Sequence, residues 1–433
     1  MTDYLVTFRP LGDYSFGSDR RFSFVGKNNY SEDEYAPYFI RTNRVPEQST
    51  VFGMIRYLIL FSNGIKLKQD FQYDGNTRND IEALIGVKSF SLNGGVQDFG
   101  KLEKISPIFL RKICKNSEEI VIPNPFNNKQ GKEGIEQFAP MLLEEKIKVS
   151  TSFGKIALPK SKEYNPKEGY GDGYYNIDTG HLEAVEDIFR TKVATGVRRV
   201  TQNDLVKLRQ NLLDLCKLFV NATMKQKQEV SNLDKNSNLS LTEFINNFMD
   251  LLEKHNKKKK NHFQEELEKL IKNFDADRLF KREVHQLQKD YEFAIYVKVK
   301  DGIILKDGIV PMGQKGTLFK VSVQKSKNNE NNLESEITKH FQKHTPKGQT
   351  WHYCLSDVCL LNDVTAFAIL EEKLVRQLHT DLSKNRLRGL DLQGSSLLYK
   401  AGSVFYGDNA ISVKTGLEPA GYNTIYKITG SKE

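Results

Sequence analysis

Tyr4-Leu-Val-Thr-Phe-Arg-Pro10 alternates like a strand, and Val51-Phe-Gly-Met-Ile-Arg-Tyr-Leu-Ile-Leu60 carries its apolar residues at helical spacing. Between them lie an arginine-bearing stretch and a polar loop that Pro46 ends. Ser49 or Thr50 is expected to cap the helix, offering a side-chain oxygen to the first unpaired amides. Val51, Ile55, Leu58 and Ile59 form its apolar face, which reads as core. Gly53 costs about 1 kcal/mol of helix propensity, which points to a close backbone approach there. A strand followed by a helix that packs back on it is the opening of an α+β fold.

Further along, residues 66–180 read as irregular. Phe90-Ser-Leu-Asn-Gly-Gly-Val96 has the dipeptides of a tight hairpin turn. Ile120–Phe126 reads as a strand running into a proline-bounded loop, and Tyr164–Tyr175 as a glycine- and tyrosine-rich surface loop. Residues 203–290 differ in kind. Leu205, Leu208, Leu212, Leu215 and Phe219, then Phe244, Phe248 and Leu251, then Phe263, Leu267 and Leu270 repeat at helical spacing. They predict about three helices, the third following the run Lys257–Lys260. From about 291 the pattern returns to alternating strands and helices, starting with Phe293–Val299. The expected division is an N-terminal domain over 1–202, a helical insertion over 203–290 and a C-terminal domain over 291–433.

Composition sets the partner class. The chain has 433 residues, a formal net charge of +9 and 38% hydrophobic residues, which fits a soluble globular protein with an anionic partner. No apolar run reaches the roughly 20 residues of a membrane helix, and no secretory signal opens the sequence. Cys114, Cys216, Cys354 and Cys359 are too scattered for a disulfide framework, so a reducing, cytoplasmic setting is expected. His340, His344, His352, Cys354 and Cys359 crowd together but lack the short-spaced ligand pairs of a zinc site. Asp234–Ser240 begins like a calcium loop, yet Leu239 stands where the turn needs glycine and Ile245 where a bidentate glutamate belongs.

Two glycine-punctuated stretches lie near the far end: Ala401-Gly-Ser-Val-Phe-Tyr-Gly407 and Pro419-Ala-Gly-Tyr-Asn423. Glycine lets backbone amides approach a phosphate, arginine offers two parallel donors, and aromatic rings stack on splayed bases. Single-stranded RNA calls for all three. Phe189-Arg-Thr-Lys-Val-Ala-Thr-Gly-Val-Arg-Arg-Val200 adds a glycine turn followed by Arg198 and Arg199. The strand, the first helix and these glycine stretches, in this order, resemble the RAMP superfamily of CRISPR effector subunits. Within it they look like the family of third subunits of the Cmr (type III-B) complex. Thr195 departs from that pattern, where related subunits carry a basic residue, and the helical insertion lies outside the resemblance.

The resemblance implies two ferredoxin-like (RRM-like) RAMP domains with antiparallel sheets, plus the insertion. It implies a noncatalytic subunit that binds the guide RNA (crRNA), caps its 5′ tag and docks the large polymerase-like subunit and a backbone subunit of the effector. RNA contacts are expected from Arg20, Arg21, Arg41, Arg44, Ser49, Thr50, Arg56, Arg198, Arg199, Gly402, Ser403, Tyr406, Gly421, Tyr422 and Asn423, with no catalytic residue, metal ligand or cofactor. The equivalent fourth subunit of a Csm (type III-A) complex is the near alternative. A RAMP-type CRISPR RNA-processing endonuclease is the enzymatic one, and it needs a histidine within reach of the ribose hydroxyl or leaving oxygen. The eight histidines (181, 255, 262, 285, 340, 344, 352 and 379) all fall outside the first strand and the first helix.

Overall fold

The computed structural model describes residues 1–17, 38–68, 72–87, 97–115, 117–129, 138–143, 145–152, 154–161, 163–164, 171, 173–197, separate positions between 208 and 253, 257–276, 279–313, 316–362, 365–373, 377–379, 389–391, 396–407 and 411–431. Within these the chain is α+β with antiparallel sheets. The elements used below are β1 (Thr2–Pro10), α1 (Gln48–Ser62), α2 (Arg78–Ile85), β2 (Leu102–Ile105), β3 (Phe109–Ile113), β4 (Glu118–Pro123), β5 (Tyr174–Asn176), β6 (His181–Glu183), α3 (Lys257–Ala276), β7 (Tyr291–Val299), β8 (Gly308–Met312), β9 (Thr317–Lys325), α4 (Glu330–His344), β10 (Thr350–Cys354), β11 (Thr365–Phe367), β12 (Leu370–Lys373), β13 (Ser396–Tyr399), β14 (Val404–Tyr406) and β15 (Ile425–Thr429).

One nine-stranded sheet runs β6-β5-β4-β3-β7-β1-β9-β8, with β2 also on β7. β1 lies in its middle. Val6 faces Ile295 of β7 on one side and Val323 of β9 on the other. The period-two alternation of β1 and β7 sorts side chains between two cores. Tyr4, Val6, Phe8, Phe293, Ile295 and Val297 enter the core that holds α1 and α2. Leu5, Ala294 and Tyr296 face the other, where α4 contributes Leu333, Ile337 and Phe341 at i, i+4 and i+8. A second sheet, ordered β11-β14-β10-β15, closes that core with Trp351, Tyr353, Val404, Tyr426 and Ile428. Trp351 is fully buried, and its indole N–H donates to Thr345 Oγ1 at 3.0 Å.

This arrangement corrects the division at 290/291. Residues 291–299 and 317–325 are the two neighbours of β1, so the segments called N- and C-terminal domains share one sheet. The helical reading of 203–290 also ends too late, because Leu279–Leu287 is a strand whose Phe280–Arg282 pairs in parallel with Tyr38–Ile40. Helix α3 starts at Lys257, so the lysine run belongs to the helix rather than preceding it. By compactness the chain falls into two units, Met1–Asp19 with Thr42–Lys192 and Val284–Glu433, and Arg20–Arg41 with Val193–Glu283. The expected hairpin over 90–96 lies outside the described residues. No helix among the described residues is long and apolar enough to cross a membrane.

Helix α4 carries a pH-sensitive contact. His340 Nε2 lies 2.9 Å from the Tyr175 hydroxyl. Burial, with His344 and Lys343 adding to it, pulls the imidazole from 6.5 down to about 4. A histidine held neutral in the folded state costs nothing above pH 6.5, and its contribution is lost as pH falls from there towards 4. Discounted for solvent screening of the half-exposed ring, about 1 kcal/mol should go between pH 7 and pH 4.5. Urea denaturation at the two pH values checks it: His340→Gln should lose less stability over that interval than the wild type.

Candidate nucleic-acid interface

Helix α1 begins at Gln48, after Pro46, with Glu47 as its N-cap residue and no side-chain cap of its own. The expected capping by Ser49 or Thr50 is therefore corrected. Both residues lie inside the first turn, and the Thr50 amide bonds the Glu47 carbonyl at 2.8 Å. The Ser49 amide is satisfied from far along the chain, donating to the Tyr422 hydroxyl at 3.2 Å. A buried phenol replaces the local cap at one of the amides that a helix start leaves unpaired.

Tyr422 is 1% exposed and belongs to the α1 core, where burial pushes its hydroxyl well above the usual range. It reaches Ser49 because the preceding turn passes tightly over the helix start. Gly421 has φ +83°, and a β-carbon there would collide with the Gln48 amide and lie 2.8 Å from the Ser106 carbonyl oxygen. Gln48 Nε2 itself donates to that carbonyl at 2.8 Å. Asn423 follows in the left-handed region at φ 56°. Its side chain accepts from the Cys359 amide at 2.8 Å and donates to the Lys414 carbonyl at 2.6 Å.

The other glycine stretch turns between β13 and β14. Gly402 has φ +94°, and a β-carbon would lie 2.8 Å from the Asn124 carbonyl oxygen and 3.0 Å from the Phe126 ring. Its amide donates to the Cys354 carbonyl and its carbonyl accepts from the Phe126 amide, both at 2.8 Å. Ser403 is fully buried and its carbonyl accepts from the Cys354 amide at 2.9 Å. The half-buried Tyr406 donates its hydroxyl to the Met141 carbonyl at 2.6 Å and sets its ring edge-on to Phe367.

An ion network that the sequence reading missed joins both turns to α1. Asp357 Oδ1 accepts from the Ala401 amide at 3.0 Å, its backbone carbonyl accepts from the Asn423 amide at 3.0 Å, and its Oδ2 accepts from Lys373 Nζ at 2.6 Å. Lys373 Nζ also lies 3.3 Å from Glu47 Oε1 at the start of α1. Burial works to lower the Lys373 ammonium, but Asp357 and Glu47 outweigh it and hold it well above the usual lysine range. No local pattern joins these residues, since Glu47 lies 326 residues from Lys373 and Asp357 lies 16 from it.

The structure thus brings Ser49, Thr50, Gly421, Tyr422, Asn423, Gly402 and Ser403 into one assembly, but changes what several of them do. Gly402, Ser403, Gly421, Tyr422 and Asn423 are buried, and their close approaches are to the protein itself. Ser49 and Thr50 are half-buried, as is Arg44, whose carbonyl accepts from the Tyr14 hydroxyl at 2.8 Å. Arg41 is exposed.

Arg56 is corrected outright. It is 5% exposed and donates to the carbonyl of Ile85, the last residue of α2, at 3.0 Å. A cation on a helix C-terminus meets the negative end of the dipole. Burial lowers this guanidinium to about 10, with Asp98 opposing. Arg20, Arg21, Arg198 and Arg199 lie outside the described residues.

No family model matches the chain, and no curated protein matches it. Solved structures do. Cryo-EM structures of the type III-B Cmr-beta, one bound to cognate target RNA and one to cognate target RNA and AMPPnP (state 1), each contain a chain that aligns with a TM-score of 0.38 and 12% identity, over 93% of this chain and 86% of that one.

Two of the described histidines are buried within the fold. His285 is buried, with Nδ1 3.1 Å from Thr191 Oγ1 and Nε2 3.2 Å from the Thr42 carbonyl. His352 is buried on β10. Among the described residues no three His, Cys, Asp or Glu side chains are grouped to hold a metal ion.

Proposed function

We propose that the chain is a noncatalytic guide-RNA-binding subunit of a type III-B CRISPR ribonucleoprotein, gripping the 5′ tag and docking the large polymerase-like subunit. The observation that carries this reading is the Gly421 turn packed on the first turn of α1, with the Gly402 turn tied to it through Asp357. The helix start and the two glycine stretches, far apart in sequence, are tied together there through Asp357, Lys373 and Glu47. Buried glycines and Tyr422 shape that place, and the more accessible Ser49 and Thr50 supply its polar surface. The type III-A equivalent differs in its partners and not in this chemistry.

Fluorescence anisotropy with labelled single-stranded 5′-tag RNA tests the reading. If about three phosphates are neutralised, a threefold rise in salt weakens binding about tenfold through counterion release. A flat salt dependence would remove the electrostatic part of the proposal. Incubation with labelled precursor RNA tests the noncatalytic part, since site-specific products lost in a His→Ala variant would make the chain an endonuclease.

A further inference from the structure

We propose that Asp357 is a positioning residue for the RNA-binding surface, holding the two glycine turns in register with the start of α1 through the Lys373–Glu47 ion network. The inference rests on the guide-RNA reading above. Its basis is a single residue with three bonds to three separate segments. The Asp357 carboxylate takes the Ala401 amide on one oxygen and the Lys373 ammonium on the other, while its backbone carbonyl takes the Asn423 amide. Lys373 extends the chain to Glu47, the N-cap residue of α1 and two residues before Ser49. Lys373 and Asp357 have side chains only 12% and 13% exposed, so the pair is screened little by salt.

The turns need such a tie. Each reverses at a glycine of positive φ, and neither Gly402 nor Gly421 has a side chain with which to anchor itself. Asn423 fixes its own side chain to Cys359 and Lys414. Only Asp357 bonds both turns at once among the described hydrogen bonds. A cation shared between two carboxylates, Asp357 and Glu47, also removes the repulsion they would otherwise exert across the start of α1.

The test uses the full chain and the variants Asp357→Ala, Asp357→Asn and Lys373→Met. Binding is read with labelled single-stranded 5′-tag RNA and with a scrambled RNA of equal length. Hydrogen exchange is read at the Ala401 and Asn423 amides, with the β1 amides as reference. Asp357→Ala should weaken tag RNA about tenfold, the loss expected for one charge-assisted hydrogen bond. It should lower the ratio of tag to scrambled affinity and speed exchange at Ala401 and Asn423 while β1 stays protected. Asp357→Asn keeps an acceptor for the Ala401 amide and should recover most of the affinity.

A purely structural role would lower the folded fraction for both RNAs alike and leave their ratio unchanged, which would overturn the proposal. So would faster exchange at the two turns with tag affinity intact. If Asp357→Ala does not fold, Lys373→Met decides, because it keeps every Asp357 acceptor. A lowered ratio supports the proposal, and an unchanged ratio overturns it. Wild-type protein that binds neither RNA would sink the guide-RNA reading itself. The exchange data would then still show whether Asp357 holds the turns.

Discussion

Gly421→Ala should destabilise the protein by about 2–4 kcal/mol, combining the left-handed strain of a β-carbon with the cost of overpacking. At φ +83° the new methyl would strike the Gln48 amide and sit 2.8 Å from the Ser106 carbonyl oxygen. Gln48 has no free room to retreat, since it is buried and bonded to that same carbonyl. Gly64→Ala is the matched control. Its φ is +87°, but nothing lies within 4 Å of the added carbon, so strain acts alone at about 1–2 kcal/mol. Urea denaturation of both variants separates the two terms. Equal losses would mean that the turn does not press on the helix. The same displacement would pull Tyr422 from the Ser49 amide, so 5′-tag binding by folded Gly421→Ala should fall while that of Gly64→Ala should not.

What the sequence showed and what it hid follow from the range of the interactions involved. The alternation of β1 is a property of adjacent residues, and it sorts Tyr4, Val6 and Phe8 to one core and Leu5 to the other. The helical stripe of Val51, Ile55, Leu58 and Ile59 is equally local, and all four are fully buried. The partners of β1 are not local. Nothing in residues 2–10 specifies pairing with 291–299 and 317–325, and so the domain boundary fell between strands of one sheet.

The glycine stretches were legible as places of close approach. What approached was hidden, because Gln48, Ser106, Asn124 and Phe126 are remote in sequence. The Lys373–Asp357–Glu47 network was hidden for the same reason, since single charges in unrelated segments carry no spacing. Tyr422 was read as a stacking platform because an aromatic beside glycine has the composition of a base-binding loop. Its burial in the α1 core makes it a helix cap instead.

Arg56 shows how a burial pattern can mislead and gives the second large effect. The helix is apolar nearly all round, with Phe52, Met54 and Leu60 buried as well as the stripe, a pattern of a helix covered on more than one side. α2 supplies part of that cover and ends against Arg56. Arg56→Ala should therefore cost about 3–4 kcal/mol, from a lost charge-assisted bond, an exposed Ile85 carbonyl and a cavity. Arg56→Met fills the space but not the bond, and should cost about half as much. Neither should change 5′-tag affinity per folded molecule. Arg44→Ala should do the reverse, shifting stability by about 0.5 kcal/mol or less while weakening the RNA by about 1–3 kcal/mol, if the half-buried guanidinium meets phosphate or a base. Thermal melts beside anisotropy titrations read both quantities on the same samples. An Arg56→Met variant that stays as stable as wild type but releases the RNA would return Arg56 to the interface, and would require the C-terminal end of α2 to open when RNA binds.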